Sequence, residues 1–450
     1  MKKLFGTDGI RGVVGKDLTI ELSFRLGRVF GMMVAKDYPP GPLSVVVGRD
    51  TRSSCEALVD ALSAGLASQS VNVSLAEVIP TPGLAFLTRT AGFNAGVMIS
   101  ASHNPAEYNG IKFVSHDGLK LTEAKESEIE STIENYDQIH FPDKPRGLIK
   151  HDAALSAKYL EYMKQIENIS LSGLRVVMDL ANGATYSIAP KLFTAFGADV
   201  VSICDKPDGK NINLNCGSTH LDNLRKAVLT HQADVGVAFD GDGDRALAVD
   251  EKGEIVDGDQ IVLIEALELA RIGRLRNNTV VATVMSNYGL EIALREHNIT
   301  LKRTPVGDRY VVAEMIESGA SIGGEQSGHI IFLDHNTTGD GLITAIKLLA
   351  TLKRKGRKLS VLAAEMKRLP QVQLNVSVRN TKDWNRNAAI QDAIANATRH
   401  IQGEGRIVVR ASGTEPLIRV MVEGKDNSLI HRLATDVANV IQTEVGANRL

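Results

Sequence analysis

The chain repeats one plan three times. A short apolar, β-branched run is followed by helical spacing and then by a second apolar run that opens onto a polar loop. The first copy starts at Val45-Val46-Val47-Gly48, has helical spacing over 55–69, and passes from Gly96-Val97-Met98-Ile99-Ser100 into Ala101-Ser102-His103-Asn104-Pro105. The second starts at Arg175-Val176-Val177-Met178-Asp179, and its run Val235-Gly236-Val237-Ala238-Phe239 opens onto Asp240-Gly241-Asp242-Gly243-Asp244. The third starts at Val280-Val281-Ala282-Thr283-Val284 and ends in Gly323-Gly324-Glu325-Gln326-Ser327-Gly328-His329. Buried strands that alternate with helices specify an α/β chain. Ligands in such sheets gather at loops beyond the strand ends, which is where the three polar loops fall. The interval between copies varies, so a solenoid is excluded. Three related α/β domains facing one cleft are expected.

The end of the chain departs from the plan. Residues 371–378 alternate like a half-buried strand, and 385–400 have helical spacing. Residues 406–410 and 417–423 flank the turn Ser412-Gly413-Thr414-Glu415-Pro416 as a hairpin, and an amphipathic helix follows over 428–444. This reads as a small α+β domain. A chain of 450 residues exceeds what one hydrophobic core supports. The expected boundaries are 1–150 for the domain with the Ser102 loop, 151–252 for that with the aspartate loop, 253–366 for that with the Glu325 loop and 367–450 for the C-terminal domain.

Charge and cysteine content narrow the class. There are 51 basic and 53 acidic side chains, net −2, without the basic excess of a nucleic-acid binder. The stretch Lys353-Arg354-Lys355-Gly356-Arg357-Lys358 has no interleaved aromatics and reads as a solvated surface. Cys55, Cys204 and Cys216 form no CxxC pair, which argues against a disulfide framework or structural zinc and for the cytoplasm. Gly6, Thr7, Asp8 and Arg11 interrupt any signal-peptide core, and no apolar stretch reaches the ~20 residues of a membrane span.

The loops carry the chemistry. Asp240-Gly241-Asp242-Gly243-Asp244-Arg245 sets three carboxylates between glycines at the end of an apolar strand. Hard cations such as Mg²⁺ take several oxygen ligands in tight geometry, and glycine lets the backbone fold until alternate carboxylates converge. The layout of a calcium loop is absent; a solvated acidic turn is the alternative. Arg245 can orient a carboxylate or contact substrate. Ser102, beside His103 at a strand end, suggests an activated nucleophile, although the G-x-S-x-G elbow is missing. If Ser102 takes a phosphoryl group, its oxygens can complete a metal shell with Asp240, Asp242 and Asp244, and positioning and electrostatics dominate such transfers. The alternative is a Ser/Asn/Pro turn with capping roles. His103 reads as a neighbour that positions Ser102, not as a base. In the third loop Glu325 and Ser327 suit sugar hydroxyls or an amine, and His329 suits proton transfer. Arg410, Ser412, Gly413 and Thr414, with Arg419 on the returning strand, make a phosphate cradle; the alternative is a plain hairpin turn. The absence of a Walker motif and of a GxGxxG fingerprint leaves nucleotide chemistry without support.

In this order the motifs resemble the α-D-phosphohexomutase family over essentially the whole chain. The resemblance runs from Phe5-Gly6-Thr7-Asp8-Gly9-Ile10-Arg11-Gly12 through the Ser102 and Asp240 loops, Thr304-Pro305-Val306-Gly307-Asp308-Arg309 and the Glu325 loop to residues 410–414. It implies three related α/β domains with mixed sheets plus a smaller α+β C-terminal domain, around a central cleft. It implies that Ser102 is a phosphoserine that gives and receives the phosphoryl group. Asp240, Asp242 and Asp244 would hold Mg²⁺ together with the Ser102 phosphate. Arg245, Thr304, Gly307, Asp308, Glu325 and Ser327 would bind the sugar. Arg410, Ser412, Gly413, Thr414 and Arg419 would hold the non-reacting phosphate, and Arg11, Lys112 and His329 would aid proton transfer or stabilise charge. It further implies a sugar phosphate substrate, a sugar 1,6-bisphosphate as intermediate and primer, a homodimer, and a C-terminal domain that closes the cleft against water.

Within the family, residues 5–12, 323–329 and Thr337-Thr338-Gly339-Asp340-Gly341 resemble members that interconvert glucosamine-6-phosphate and glucosamine-1-phosphate for UDP-N-acetylglucosamine synthesis. Glu107-Tyr108-Asn109-Gly110 resembles members that act on glucose or mannose phosphates. A non-catalytic sugar-phosphate sensor would show a decayed nucleophile or metal loop, and both are intact. A phosphatase with an aspartate nucleophile would keep its activity after Ser102→Ala.

Overall fold

A computed structural model describes residues 4–6, 8–39, 41–412 and 415–447. Each copy of the repeat places its first strand at the centre. In the first, Leu43–Arg49 pairs in parallel with Val71–Val78 on one side and with Ala95–Ile99 on the other, and Tyr108–Ser115 returns antiparallel beside Ala95–Ile99. In the second, Arg175–Asp179 lies between Asp199–Ile203 and Val235–Phe239, with Ala246–Asp250 returning antiparallel. The third follows the same order, with Thr279–Thr283 between Thr300–Thr304 and Ile322–Gly324, and Ile330–Phe332 as the returning strand. The first sheet is extended by Phe5–Gly6 and Gly9–Val13 at one edge and by Ile149–His151 at the other. The sheets are therefore mixed.

Because the chain crosses from the central strand to one side and then from that outer strand to the other side, each sheet has a switch point at the strand ends, where ligands bind in such sheets. The loops after Ala95–Ile99, Val235–Phe239 and Ile322–Gly324 all leave from that point.

The sequence plan is one strand short in every copy. The outer strands Val71–Val78, Asp199–Ile203 and Thr300–Thr304 do not read as apolar runs. Asp199–Ile203 has no fully buried position, only Thr304 is buried in Thr300–Thr304, and Val71–Val78 carries Asn72, Ser74 and Glu77. Ala95–Ile99, Val235–Phe239 and Thr279–Thr283 are buried at every position and show it in their composition.

The first sheet carries its core against the helices Ile20–Asp37 and Cys55–Ala67, through Leu26, Leu62, Val45, Val47, Val97 and Ile111. Each such side chain contributes roughly 1.5–3 kcal/mol by burial. The basic stretch at 353–358 is largely exposed, as expected of a solvated surface, and two of its cations also reach partners. Arg354, in the helix Gly341–Lys355, donates to Glu268 Oε1 and Glu167 Oε2, both at 2.9 Å, and Lys353 Nζ donates to the Ser172 carbonyl at 2.6 Å. These cations join the second and third copies. Among the described residues no helix is long and apolar enough to cross a membrane.

The chain divides into two compact units: the described residues up to Thr283 with Lys302–Ala364, and Val284–Leu301 with the residues from Glu365 onward. The second unit holds an antiparallel sheet in which Leu417–Gly424 lies between Gln371–Ser377 and Gly405–Ala411. The helices Ala388–Ile401 and Asn427–Val445 cover it, with Ile390, Val420, Ile430 and Val437 buried between.

Candidate active site

Ser102 follows the strand Ala95–Ile99 and has φ +53°, a left-handed backbone that a serine seldom adopts. Its side chain is buried, and Oγ donates to Asp240 Oδ2 at 2.6 Å. His103 Nδ1 lies 3.4 Å from the same oxygen. Burial, with Arg245 and Arg11 nearby, pushes His103 down to about 4, so its ring is neutral at pH 7.

Asp240, Asp242 and Asp244 are buried, and their carboxylate oxygens come within 4.8 Å of one another. Asp242 Oδ2 accepts from Thr81 Oγ1 at 2.6 Å and from Lys112 Nζ at 2.8 Å. Asp240 Oδ1 accepts from the Arg245 N–H at 3.2 Å. Asp242 Oδ1 and Asp244 Oδ1 are buried and have no hydrogen-bond partner among the described residues. Unpaired buried carboxylate oxygens are costly, and a hard divalent cation is the partner that such a donor set fits. Burial and the charges of Asp244 and Asp242 push Asp240 well above the usual carboxylate range. Burial also opposes charge on Asp244, but His329, Lys112 and Arg245 hold it below that range. Lys112, register partner of Met98, is buried between Asp242, Asp8 and Asp244; burial opposes its charge, but the three carboxylates keep it protonated.

The third loop is a tight turn. The Glu325 N–H donates to the His329 carbonyl and the Gly328 N–H to the Glu325 carbonyl, each at 3.0 Å. Ser327 Oγ donates to Glu325 Oε2 at 3.4 Å. The Gly339 N–H donates to His329 Nε2 at 3.0 Å, which leaves Nδ1 as the protonated nitrogen, 3.5 Å from Asp244 Oδ2. A Cβ at Gly339 would stand 2.6 Å from three atoms of that ring, so only glycine allows the contact. Thr304 is buried at the end of its strand, and Gly307 precedes the helix Asp308–Ser318 at φ +131°.

A closed ring of ionisable side chains joins the three copies. Lys112 lies 2.8 Å from Asp8 and 3.9 Å from Asp244, and His329 lies 3.5 Å from Asp244 and 3.6 Å from Asp308. Lys120 closes the ring between Asp308 and Asp8. Arg11 reaches Asp8 and, at 3.1 Å, Asn104 Oδ1. The structure thus brings Ser102, Arg11, Lys112, Asp240, Asp242, Asp244, Arg245, Asp308 and His329 into one neighbourhood, with the Glu325 loop attached through the Ala246 N–H, which donates to the Gly328 carbonyl at 3.0 Å.

Sequence reasoning missed Asp8, Thr81, Lys120, Arg52 and Asn213 as site residues. Thr81 and Asp242 lie 161 positions apart, and Lys120 and Asp8 lie 112 apart. No local spacing announces either pair. A second trio, buried Asp179 and Cys216 with half-buried Cys204, also lies within 4.8 Å. There Asp179 accepts the Ala181 and Gly217 N–H groups at 3.0 and 2.9 Å and clasps a turn.

In the second unit Arg410 and Arg419 stand directly opposite each other on the hairpin. Burial and the Arg419 charge push Arg410 below its ordinary value. Like charges in such a pair repel, and an anion relieves them. Ser412 is buried at the turn and accepts the Glu415 N–H at 3.3 Å, while Gly413 and Thr414 lie outside the described residues.

Comparison with known proteins adds matches of three kinds. The models for phosphoglucomutase/phosphomannomutase alpha/beta/alpha domains I, II and III match residues 2–140, 157–253 and 257–369, and that for the C-terminal domain matches 374–440. The phosphoglucosamine mutase of Thermoanaerobacter sp. (strain X514) is 51% identical over 451 residues, covering 99% of this chain and 100% of that protein. A phosphoglucomutase/phosphomannomutase family protein from Burkholderia thailandensis has a similar structure, with TM-score 0.83 and 26% identity over 99% of this chain and 100% of that one. Aspergillus fumigatus N-acetylphosphoglucosamine mutase, solved in complex with GlcNAc-6P and magnesium, shares the fold at TM-score 0.65 and 18% identity over 98% of this chain and 95% of that one. With its domains matched in order from end to end, and the serine and aspartate loops meeting in one buried site, this chain belongs to the phosphoglucomutase/phosphomannomutase family.

Proposed function

We propose that this chain catalyses the phosphoglucosamine mutase reaction, interconverting glucosamine-6-phosphate and glucosamine-1-phosphate through a phosphorylated Ser102. The observation that carries the reading is the 2.6 Å hydrogen bond from Ser102 Oγ to Asp240, which delivers a nucleophilic oxygen into a buried carboxylate cluster. The relative with 51% identity over its full length bears that activity in its name.

The bond between Ser102 Oγ and phosphorus breaks as a sugar hydroxyl takes the phosphoryl group, giving a sugar 1,6-bisphosphate. The intermediate turns over, and its other phosphate returns to Ser102. Lys112 stays protonated and offsets charge on the transferring group, and Arg11 and His329 complete the set that handles the proton. Glu325, Ser327, Arg245, Thr304, Gly307 and Asp308 bind the sugar. Arg410, Ser412, Gly413, Thr414 and Arg419 hold the phosphate that does not react. Asp240, Asp242, Asp244 and the Ser102 phosphate are the residues that would hold Mg²⁺, whose charge offsets that of the transferring phosphoryl group when it is bound.

The four domains are proposed at 1–150, 151–252, 253–366 and 367–450, in a cytoplasmic homodimer that takes small sugar phosphates and no nucleic acid. The segment at Glu107 and Tyr108 bears little on sugar choice. Tyr108 meets Arg52 through its backbone carbonyl at 3.1 Å, a contact that any residue type supplies.

The test is turnover of glucosamine-6-phosphate, with Mg²⁺ and a trace of 1,6-bisphosphate, beside parallel glucose and mannose phosphate reactions. The highest kcat/KM is expected on the glucosamine substrate, and a higher value on glucose or mannose phosphate moves the chain to the neighbouring specificity. Ser102→Ala is expected to lose nearly all turnover; wild-type turnover in that variant would refute the phosphoserine.

A further inference from the structure

We infer that Arg52 is the residue that positions Ser102 for phosphoryl transfer, an inference that rests on the phosphoserine reading above. An arginine offers five N–H donors in a fixed planar fork and accepts nothing. At Arg52 all five are used. Nε donates to Asp50 Oδ2 at 2.9 Å. Nη1 donates to the carbonyls of Pro105 and, at 3.1 Å, Tyr108. Nη2 donates to the carbonyls of Ser102 at 3.0 Å and Asn104 at 2.8 Å. Both side chains of the Arg52–Asp50 pair are 0% exposed, so no water competes for these bonds.

The four carbonyls all belong to the segment that begins with the nucleophile. The other side of the nucleophile is held as well. The Ser102 N–H donates to Ser100 Oγ at 2.9 Å, and Ser100 Oγ donates to Asp50 Oδ2 at 2.6 Å. Asp50 therefore grips the Ser102 N–H through Ser100, while Arg52, bonded to the same Asp50, grips the Ser102 carbonyl. Asn213, from the second copy of the repeat, adds Nδ2 bonds to the Ser102 and Asn104 carbonyls at 2.8 and 3.0 Å.

This cage explains the backbone. A serine at φ +53° persists only where its surroundings over-determine it, and that backbone is what brings Oγ to Asp240. The fork is specific to arginine, because a lysine ammonium is a compact point charge with three donors and cannot span four carbonyls and a carboxylate. Arg52 is buried and works through Ser102, not on the sugar. An oxygen that must give and then retake a phosphoryl group has to return to one place, and a shift of about 1 Å can cost on the order of 10²-fold in rate.

The test uses full-length Arg52→Lys and Ser100→Ala. It reads kcat and KM for glucosamine-6-phosphate, together with Ser102 phosphorylation by intact mass after incubation with glucose 1,6-bisphosphate. Arg52→Lys is expected to keep the wild-type circular dichroism and a KM within about threefold, while kcat and the rate of phosphorylation fall on the order of 10²-fold. Wild-type kcat, or a loss confined to KM, overturns the proposal. If Arg52→Lys does not fold, Ser100→Ala carries the test, since it removes the hydroxyl that ties the Ser102 N–H to Asp50, the other half of the same grip. There kcat is expected to fall roughly tenfold at unchanged KM, and an unchanged kcat overturns the proposal. Wild-type protein that takes no phosphate on Ser102 refutes the phosphoserine reading itself, a result distinct from either variant's.

Discussion

The ammonium of Lys120 lies 2.5 Å from the carboxylate of Asp308, and the same ammonium also meets Asp8. One side chain from the first copy of the repeat thus ties the segment before Gly9–Val13 to the start of a helix in the third copy. Lys120→Met removes the cation that the two carboxylates share and leaves Asp8 to Lys112 and Arg11 alone. The Lys120 side chain is 21% exposed, between the solvated and the fully buried limits for ion pairs, so the expected cost is about 2 kcal/mol. It would be read as a lower urea midpoint with the slope unchanged, together with a several-fold higher KM. An unaltered midpoint would show that the ring of ionisable side chains does not support the fold.

Metal binding has a readout independent of turnover. Asp242 Oδ1 and Asp244 Oδ1 have no hydrogen-bond partner among the described residues, so Mg²⁺ added to stripped protein should bind the native state and raise Tm. At 100 times Kd the linkage is about 2.7 kcal/mol, which for domains of this size means several degrees. Asp242→Asn should abolish the rise, and chelation of the wild type should stop turnover until Mg²⁺ is restored. A Tm indifferent to Mg²⁺, with full activity in chelator, would remove the aspartates from their assigned role.

Stability should fall with rising pH through one buried carboxyl far from the serine. Glu265, on the helix Gly258–Arg271, is 1% exposed beside Lys347, Arg354 and Glu268. Burial, only partly offset by the two cations, pushes it up to about 7. A raised folded-state value means that this group's contribution is fully present below its unfolded value near 4.5 and is lost as pH rises through about 7. Glu265→Gln removes the proton. Between pH 5 and pH 8 the wild type should therefore lose on the order of 3 kcal/mol relative to the variant in urea titrations. Parallel pH profiles for the two proteins would contradict this.

Much of the fold was legible because buried central strands leave an uninterrupted apolar trace. Val235–Phe239 was readable to the residue, and the strands of the hairpin that carries Arg410 and Arg419 were readable to within one residue at each end. The outer strands were not, because a half-exposed strand such as Asp199–Ile203 has no such trace. The same division holds in the site. The run from Asp240 to Asp244 announces itself, since its chemistry lies in one short segment. Arg52 and Asn213 act on backbone carbonyls 50 or more positions away, and a carbonyl is the same in every residue. Only the folded chain shows which arginine found them.

The order of strands, repeated three times, amounts to a division of labour. One backbone solution produces three equivalent vacancies, each at the same corner of its own sheet. One is filled by an acceptor oxygen, one by acids and one by a glycine-rich turn. None of the three duplicates another, so the kinship of the copies provides no redundancy. A lesion at any one corner should silence the whole, although the architecture looks triplicate.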